Sequence, residues 1–256
     1  MNPLWEWLKR GYLRLVDPVA NWLIRLGISP NAITTIGTFC ALVAGALFGF
    51  GYIRTAGWVL GLTAIFDVLD GTVARRTGKE TVFGAFYDSS LDRVADGAIL
   101  GGLMIFVARN DVHQSLPVWT STPLLGVLLF GIIGTFLTSY TRARAESLGI
   151  DAKVGLMQRP ERITLLSAPQ AFFGLALNGY VLALIVLLLA VTAWITAIQR
   201  ILFVYRATKA AEQRASSEVA RDVPPPLADM VRPTAEASRH GGEVTSPASF
   251  RGVAPR

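Results

Sequence analysis

The sequence predicts an all-α integral membrane protein, with six transmembrane helices between an N-terminal interfacial amphipathic helix and a disordered C-terminal tail. Three observations lead there. The 256 residues are 52% hydrophobic and only 16% charged, too apolar for an ordinary soluble domain. Six separate stretches approach the roughly 20 apolar residues that cross a bilayer. Lysine and arginine gather in alternate connections between those stretches, as a fixed orientation in the membrane requires.

Residues 1–28 carry charges throughout and lack the continuous apolar core of a cleavable signal peptide. Leu4, Leu8, Tyr12, Leu15, Val19 and Leu23 instead fall near one helical stripe, flanked by Trp5, Trp7, Lys9, Arg10 and Arg14. Such a helix lies in the interface with its apolar side down. A membrane domain over residues 29–206 follows, with spans expected near 33–52, 56–74, 84–108, 122–143, 161–179 and 181–204. Only Asn178 and Gly179 separate the fifth from the sixth.

Arg25, then Arg75, Arg76 and Lys79, then Arg142, Arg144, Lys153, Arg159 and Arg162, then Arg206 and Lys209 occupy one set of connections. The opposite set holds only Arg54 and Arg109. Both termini are therefore expected in the cytoplasm of a multi-pass cell-membrane protein. From residue 207 the composition turns to Ala, Pro, Ser, Glu and Arg, including DVPPPL. Residues 207–256 read as a disordered cytoplasmic tail.

Several function classes fall away. The single cysteine, Cys40, has no partner for an intrachain disulfide and reads as packing in an apolar stretch. His113 and His240 lie in a polar loop and in the tail. The formal net charge is +6, but the basic residues line membrane-proximal loops, which favours anionic headgroups and phosphorylated substrates over nucleic acid. No internal repeat is evident, which weighs against an inverted-repeat transporter.

Chemistry concentrates in the run DVLDGTVARRTGKETVFGAFYDSSLD. Asp67 and Asp70 are spaced i, i+3 and Asp88 and Asp92 i, i+4, so each pair shares a helix face. An ionised carboxylate at membrane depth costs about 2.5–3.5 kcal/mol, so four together call for compensating positive charge or a proton. If the two helices fold back antiparallel about residue 79, Asp70 comes opposite Asp88 and Asp67 opposite Asp92. That is a four-carboxylate cage of hard oxygens, suited to Mg²⁺ or Mn²⁺ and not to zinc. Two such ions a few ångströms apart are a standard device for displacement at phosphorus. Asp96, a further i+4 step, reads as a partner of Arg93 or of a neighbouring helix and stays outside the cage.

The same run reads D67 xx D70 G71 xx A74 R75, eight residues, then G84 xxx D88 xxx D92. It resembles the complete signature of the CDP-alcohol phosphatidyltransferase family, and GISPNAITTIG at 27–37 resembles that family's approach to its first membrane helix. The resemblance extends over about residues 15–206. It implies transfer of a phosphatidyl-type group from a CDP-linked lipid to an alcohol, with release of CMP. It implies that Asp67, Asp70 and Asp88 hold two metal ions, and that Asp92 completes the cage and serves as general base. Gly71, Ala74 and Gly84 would let the diphosphate approach the backbone closely, and Arg75 offers a forked donor to phosphate oxygens. Pro30, Asn31 and Thr81 match positions around the cytidine diphosphate. The alternative for the first two is structural, with Pro30 breaking the chain before the helix and Asn31 capping it. A homodimer follows from the family's habit.

For the acceptor, SYTRARAESLG (139–149) and QRPER (158–162) resemble the phosphatidylinositol phosphate synthase branch. By that resemblance Arg142, Arg162 and Arg200 take the phosphate of inositol phosphate. Arg144, Lys153 and Arg159 read as topology and headgroup contacts. Three alternatives stay open: a phosphatidylglycerophosphate synthase using glycerol 3-phosphate, an ion-coupled transporter, and a catalytically silent scaffold. A transporter predicts flux without CMP release, and a silent scaffold would be expected to have lost an aspartate, whereas all four are present.

Overall fold

In the computed structural model residues 16–110 and 114–222 are described. The first 15 residues of the expected interfacial helix, His113, and the tail from 223, with His240, lie outside the described residues. The chain divides into two units, the first ending at Thr208 and the second beginning at Lys209.

Helix α1 spans 16–25. Its Val16 and Ala20 are buried with Ile33, Leu69 and Val73, while Val19, Trp22 and Leu26 face outward. An apolar outer stripe on a short helix beside a membrane domain fits the expected interfacial placement. The other end of the contact is polar. Arg76 donates to Asp17 at 2.5 Å and to Asn21 at 2.8 Å. Gly27, at φ +71, turns the chain out of α1, a left-handed conformation that a side chain would strain.

Helix α2 (Pro30–Gly49) starts with Ser29 as its N-cap, whose hydroxyl accepts from Ala32 N, and with Pro30 in the first turn. Ser29, and not Asn31, is thus the cap; proline supplies the fixed φ that the first turn tolerates. Helix α3 (Ile53–Thr77) ends on Gly78 in the left-handed conformation. Helix α4 (Val82–Ala108) begins at Thr81, whose hydroxyl accepts from Gly84 N at 2.9 Å. The tight link 78–81 returns the chain so that α4, like α3, packs on α2.

Helix α5 spans Val118–Ser147 and α6 spans Arg159–Phe173, the latter opened by a capping box between Gln158 and Glu161. A single 3₁₀ turn, Leu177–Gly179, leads to α7 (Tyr180–Asp222). Helix α7 therefore passes residue 207, where the sequence suggests disorder. The segment TKAAEQRASSEVARD is rich in Ala, Glu and Arg, and these helix-formers outweigh its polarity.

Four helices have the length and apolarity of membrane spans among the described residues: Pro30–Gly49, Ile53–Thr77, Ser121–Ser147 and Leu177–Arg214. The two other expected spans differ for separate reasons. Helix α4 is 27 residues long but carries Asp88, Asp92, Arg93 and Asp96. Helix α6 has 15 residues and stops at Gly174, about 22 Å at 1.5 Å per residue and shorter than a hydrocarbon core of about 30 Å. Phe39, Trp58, Phe130 and Leu184 are among many large apolar side chains left exposed, as a lipid-facing surface requires.

The interior is built around α2, which packs on both α3 and α4, while α3 packs on α6 and α4 on α5. Its largest buried side chains include Phe48, Leu60, Leu103, Phe106 and Leu128. Gly45 and Gly102 set the approach of α2 to α4, because a Cβ on Gly102 would overlap the backbone of Gly45 and one on Gly45 would overlap that of Ala98. Small residues at a crossing let helix backbones touch, the main source of packing energy in lipid. Replacing Gly45 with Val is expected to lower stability by about 3 kcal/mol, the upper part of the usual overpacking range, read as a depressed Tm of the detergent-solubilised protein. An unchanged Tm would show that α2 and α4 do not need this approach.

Candidate active site

The close packing of α2, α3 and α4 draws acidic residues together at one end of the helices. Asp67 and Asp70 sit in the second half of α3, Asp88 and Asp92 in the first half of α4, and Asp96 at its middle. Asp70 is buried. Its Oδ2 accepts from the Thr34 hydroxyl of α2 at 2.7 Å and its Oδ1 from the Gly71 amide at 2.5 Å. These two bonds fix the carboxylate while leaving lone pairs free on each oxygen.

Asp70 and Asp88 line one cleft, together with Pro30, Asn31, Thr34, Gly71, Ala74, Thr81 and Gly84. The cleft is open to solvent and has a volume of about 180 Å³. Of the residues that sequence resemblance assigns to the CDP-lipid, only Arg75 is absent from its lining. Arg75 instead lies over Gly71, where an added Cβ would stand 3.1 Å from its Nη1, and reaches toward the Thr72 hydroxyl at 3.4 Å.

Asp67 and Asp92 meet on one nitrogen. Nη1 of Arg159 pairs with Asp67 Oδ2 and, at 2.8 Å, with Asp92 Oδ1. Two oxygens in contact with the same atom are near neighbours, so α3 and α4 do face each other across these carboxylates. Among the described residues, no three acidic side chains are already grouped in metal-ligating positions; a guanidinium lies between two of them instead. The donors are all carboxylate oxygens, the set that Mg²⁺ and Mn²⁺ prefer. This donor set fits a divalent ion, and in the structure the guanidinium of Arg159 stands on two of its members.

Arg159 is the residue that the sequence reading misses, because a basic side chain at a helix end is also what topology demands. The structure turns it inward from the first position of α6. Asp96 also belongs to this region. It is buried, and its carboxylate faces Arg93 at 3.8 Å, Arg159 Nε at 3.5 Å and Arg162 at 4.0 Å. Arg93 Nε, Arg159 Nε, Arg162 Nη1 and Asp96 Oδ2 are buried without a hydrogen-bond partner among the described residues. The i+4 step from Asp92 signals that Asp96 shares the face, and Arg93 was its expected partner, but nothing in the sequence signals Arg159 and Arg162 beside it.

The other two expected acceptor arginines have partners of their own. Arg142 is exposed and pairs with Glu146 at 2.9 Å. Arg200 is buried and donates to the carbonyls of Val154 at 2.8 Å and Thr138 at 2.5 Å, tying α7 to α5 and to the connection between α5 and α6. The charges of Arg142, Arg162 and Arg93 all bear on Arg200. Arg144 bonds locally to Ser147 and Lys153 to Asp151.

The model of the family described as CDP-alcohol phosphatidyltransferase matches residues 27–205. The chain belongs to the CDP-alcohol phosphatidyltransferase family. A phosphatidylinositol phosphate synthase of Mycobacteroides abscessus is 35% identical over 212 residues, covering 82% of this chain and 93% of that protein. An archaetidylinositol phosphate synthase of Methanothermobacter thermautotrophicus is 34% identical over 198 residues, covering 77% of this chain and 91% of that protein. Among solved structures, the phosphatidylinositol phosphate synthase of Mycobacterium tuberculosis with CDP-DAG bound aligns at a TM-score of 0.66 and 31% identity, over 75% of this chain and 94% of that one. The same enzyme in complex with manganese and citrate aligns at a TM-score of 0.64, with 31% identity, over 74% of this chain and 88% of that one.

Gly84 keeps the cleft between α2, α3 and α4 open. A Cβ there would stand 3.0 Å from Thr81 Oγ1 and 3.4 Å from Asn31 Oδ1, on the very side chains that line the cleft. Gly84→Ala is expected to raise KM for the CDP-linked donor about tenfold, equivalent to about 1.4 kcal/mol, with little change in Tm. A KM equal to that of the unaltered enzyme would show that the donor does not approach this turn.

Proposed function

We propose that this phosphatidyltransferase moves the phosphatidyl group of CDP-diacylglycerol to a hydroxyl of inositol phosphate, giving phosphatidylinositol phosphate and CMP. The observation that carries the reading is the meeting of the acidic faces of α3 and α4 between the CDP-lipid cleft and a group of arginines with unsatisfied N–H donors. The relatives named phosphatidylinositol phosphate synthase support the choice of acceptor.

Asp67, Asp70, Asp88 and Asp92 hold the divalent metal, two ions of Mg²⁺ or Mn²⁺ in the full complement. Bound there, the metal neutralises charge on the diphosphate. Pro30, Asn31, Gly71, Ala74, Thr81 and Gly84 shape the donor cleft, and Arg75 stands beside it. Asp92 takes the proton of the acceptor hydroxyl. That oxygen bonds to the phosphorus carrying diacylglycerol, and the bond from this phosphorus to the bridging oxygen breaks, its electron pair leaving with CMP. Arg142, Arg162 and Arg200 hold the acceptor phosphate; Arg162 brings a buried donor with no partner of its own.

In the membrane, six helices surround the site, with α4 and α6 as the shorter or more polar crossings, both termini and the cage facing the cytoplasm. The donor reaches the cleft from the lipid and the phosphoalcohol from water. The enzyme works as a homodimer.

The acceptor is tested by supplying CDP-diacylglycerol and Mg²⁺ with inositol phosphate or glycerol 3-phosphate and identifying the lipid formed. Product with inositol phosphate is expected; product with glycerol 3-phosphate alone would make the enzyme a phosphatidylglycerophosphate synthase. Asp92→Asn is expected to cut kcat by a factor of about 10² to 10⁴, the usual contribution of a positioned base, with donor binding kept. Asp70→Asn should instead weaken metal binding, read by titration of Mn²⁺. Full turnover in the first variant, or unaltered Mn²⁺ affinity in the second, would contradict these roles.

A further inference from the structure

Acidic side chains brought together on α3 and α4 repel one another, and Arg159 reaches carboxylates of both helices, whereas Arg93 lies on α4 itself, 3.6 Å from Asp92 and 3.8 Å from Asp96. We propose that Arg159 is the built-in counter-cation of the carboxylate cage, holding Asp67 and Asp92 together until a divalent ion enters and displaces it. This inference rests on the assignment of the cage as the metal site.

Arg159 touches both helices through one nitrogen, Nη1, on Asp67 of α3 and on Asp92 of α4. Its side chain is 17% exposed, so water does little to screen the pairing. The charges of Asp92, Asp96, Asp67 and Asp88 all act on it. Removing the guanidinium with no replacement would leave these carboxylates facing one another at low dielectric, a strongly unfavourable arrangement.

Its place in the fold makes the contact reversible. Arg159 is the first residue of α6, where the partial positive charge of the helix N-terminus opposes a cation. Only the aspartates favour it there. The backbone does not need to move, because the capping box of Gln158 and Glu161 fixes the start of the helix. The displaced side chain has a destination as well. Its Nε stands 3.5 Å from Asp96 Oδ1, too far for a formed hydrogen bond, and that Nε and Asp96 Oδ2 are both buried without a hydrogen-bond partner among the described residues. A small withdrawal from Asp67 and Asp92 completes a pairing with Asp96 that is now only half made. A divalent ion brings twice the charge of the group it replaces.

The consequence is a competition. If Arg159 occupies the cage about nine-tenths of the time, the apparent Kd for metal is about tenfold weaker than that of the open cage. Mn²⁺ is titrated into the full-length protein in detergent, with free ion followed by electron paramagnetic resonance and stability by thermal unfolding. Arg159→Gln is expected to bind Mn²⁺ about tenfold more tightly than the unaltered protein, while its metal-free Tm falls and the rise of Tm on adding Mn²⁺ grows. A residue with only a structural role would lower the Tm without tightening the metal. Arg159→Lys, with one ammonium in place of a fork, is expected to fall between the two, and it carries the test if the glutamine variant does not fold. Equal or weaker Mn²⁺ affinity in the folded variants, beside clear binding by the unaltered protein, overturns the role of Arg159 and leaves the cage standing. Absence of Mn²⁺ binding from all three proteins overturns the cage and this inference together.

Discussion

The structure depends on compensating negative charge where two apolar helices end side by side. Asp67 and Asp70 on α3 and Asp88, Asp92 and Asp96 on α4 are distributed over short helical intervals, so their carboxylates converge as soon as the helices pack. Burial then raises the cost of each charge. Thr34 and the Gly71 amide relieve Asp70, and Arg159 relieves Asp67 and Asp92. The polar end of the bundle is held by these few contacts: Thr34 joins α2 to α3 and Arg159 joins α6 to both α3 and α4, while the Gly71 amide acts within α3.

The apolar parts serve that arrangement. Glycine at 45 and 102 brings α2 against α4 closely enough that Pro30, Asn31 and Thr34 of α2 stand over the first turns of α4. The Gly78 turn reverses the chain within four residues, and Thr81 caps the helix it starts. A small set of local rules therefore builds the cleft: a left-handed glycine, a hydroxyl cap, and a proline in a first helical turn. Farther along, Arg200 uses its guanidinium as a backbone brace between α7, the end of α5 and the connection before α6. The charges of Arg142 and Arg162 also bear on this guanidinium.

Much of the cage region could be read from the sequence because its signal is periodic. Spacings of three and four place Asp67 with Asp70 and Asp88 with Asp92, and a glycine-bearing turn implies the return. The cleft residues were legible for a different reason, their match to a family signature. Arg159 was not legible, since the direction a side chain takes at a helix start depends on which neighbours await it in space. Charge count alone assigns it to the membrane surface. The cap of α2 was misread because Asn31 and Ser29 are both good caps, and Pro30 between them decides the matter by occupying the first turn. The fifth apolar stretch, read over 161–179, gives a helix that stops at Gly174, a break that hydropathy does not register. At the far end, polarity suggested disorder at 207, whereas helix propensity carries α7 to Asp222.

The central claim is that the acidic faces of α3 and α4 form one cation site, with Arg159 as its resident occupant when metal is absent. Anomalous diffraction from crystals of the protein grown with Mn²⁺ tests it directly. The account predicts anomalous density in contact with carboxylate oxygens of Asp67, Asp70, Asp88 and Asp92, and Arg159 withdrawn toward Asp96. Manganese bound elsewhere, with Arg159 still bridging Asp67 and Asp92, would contradict it.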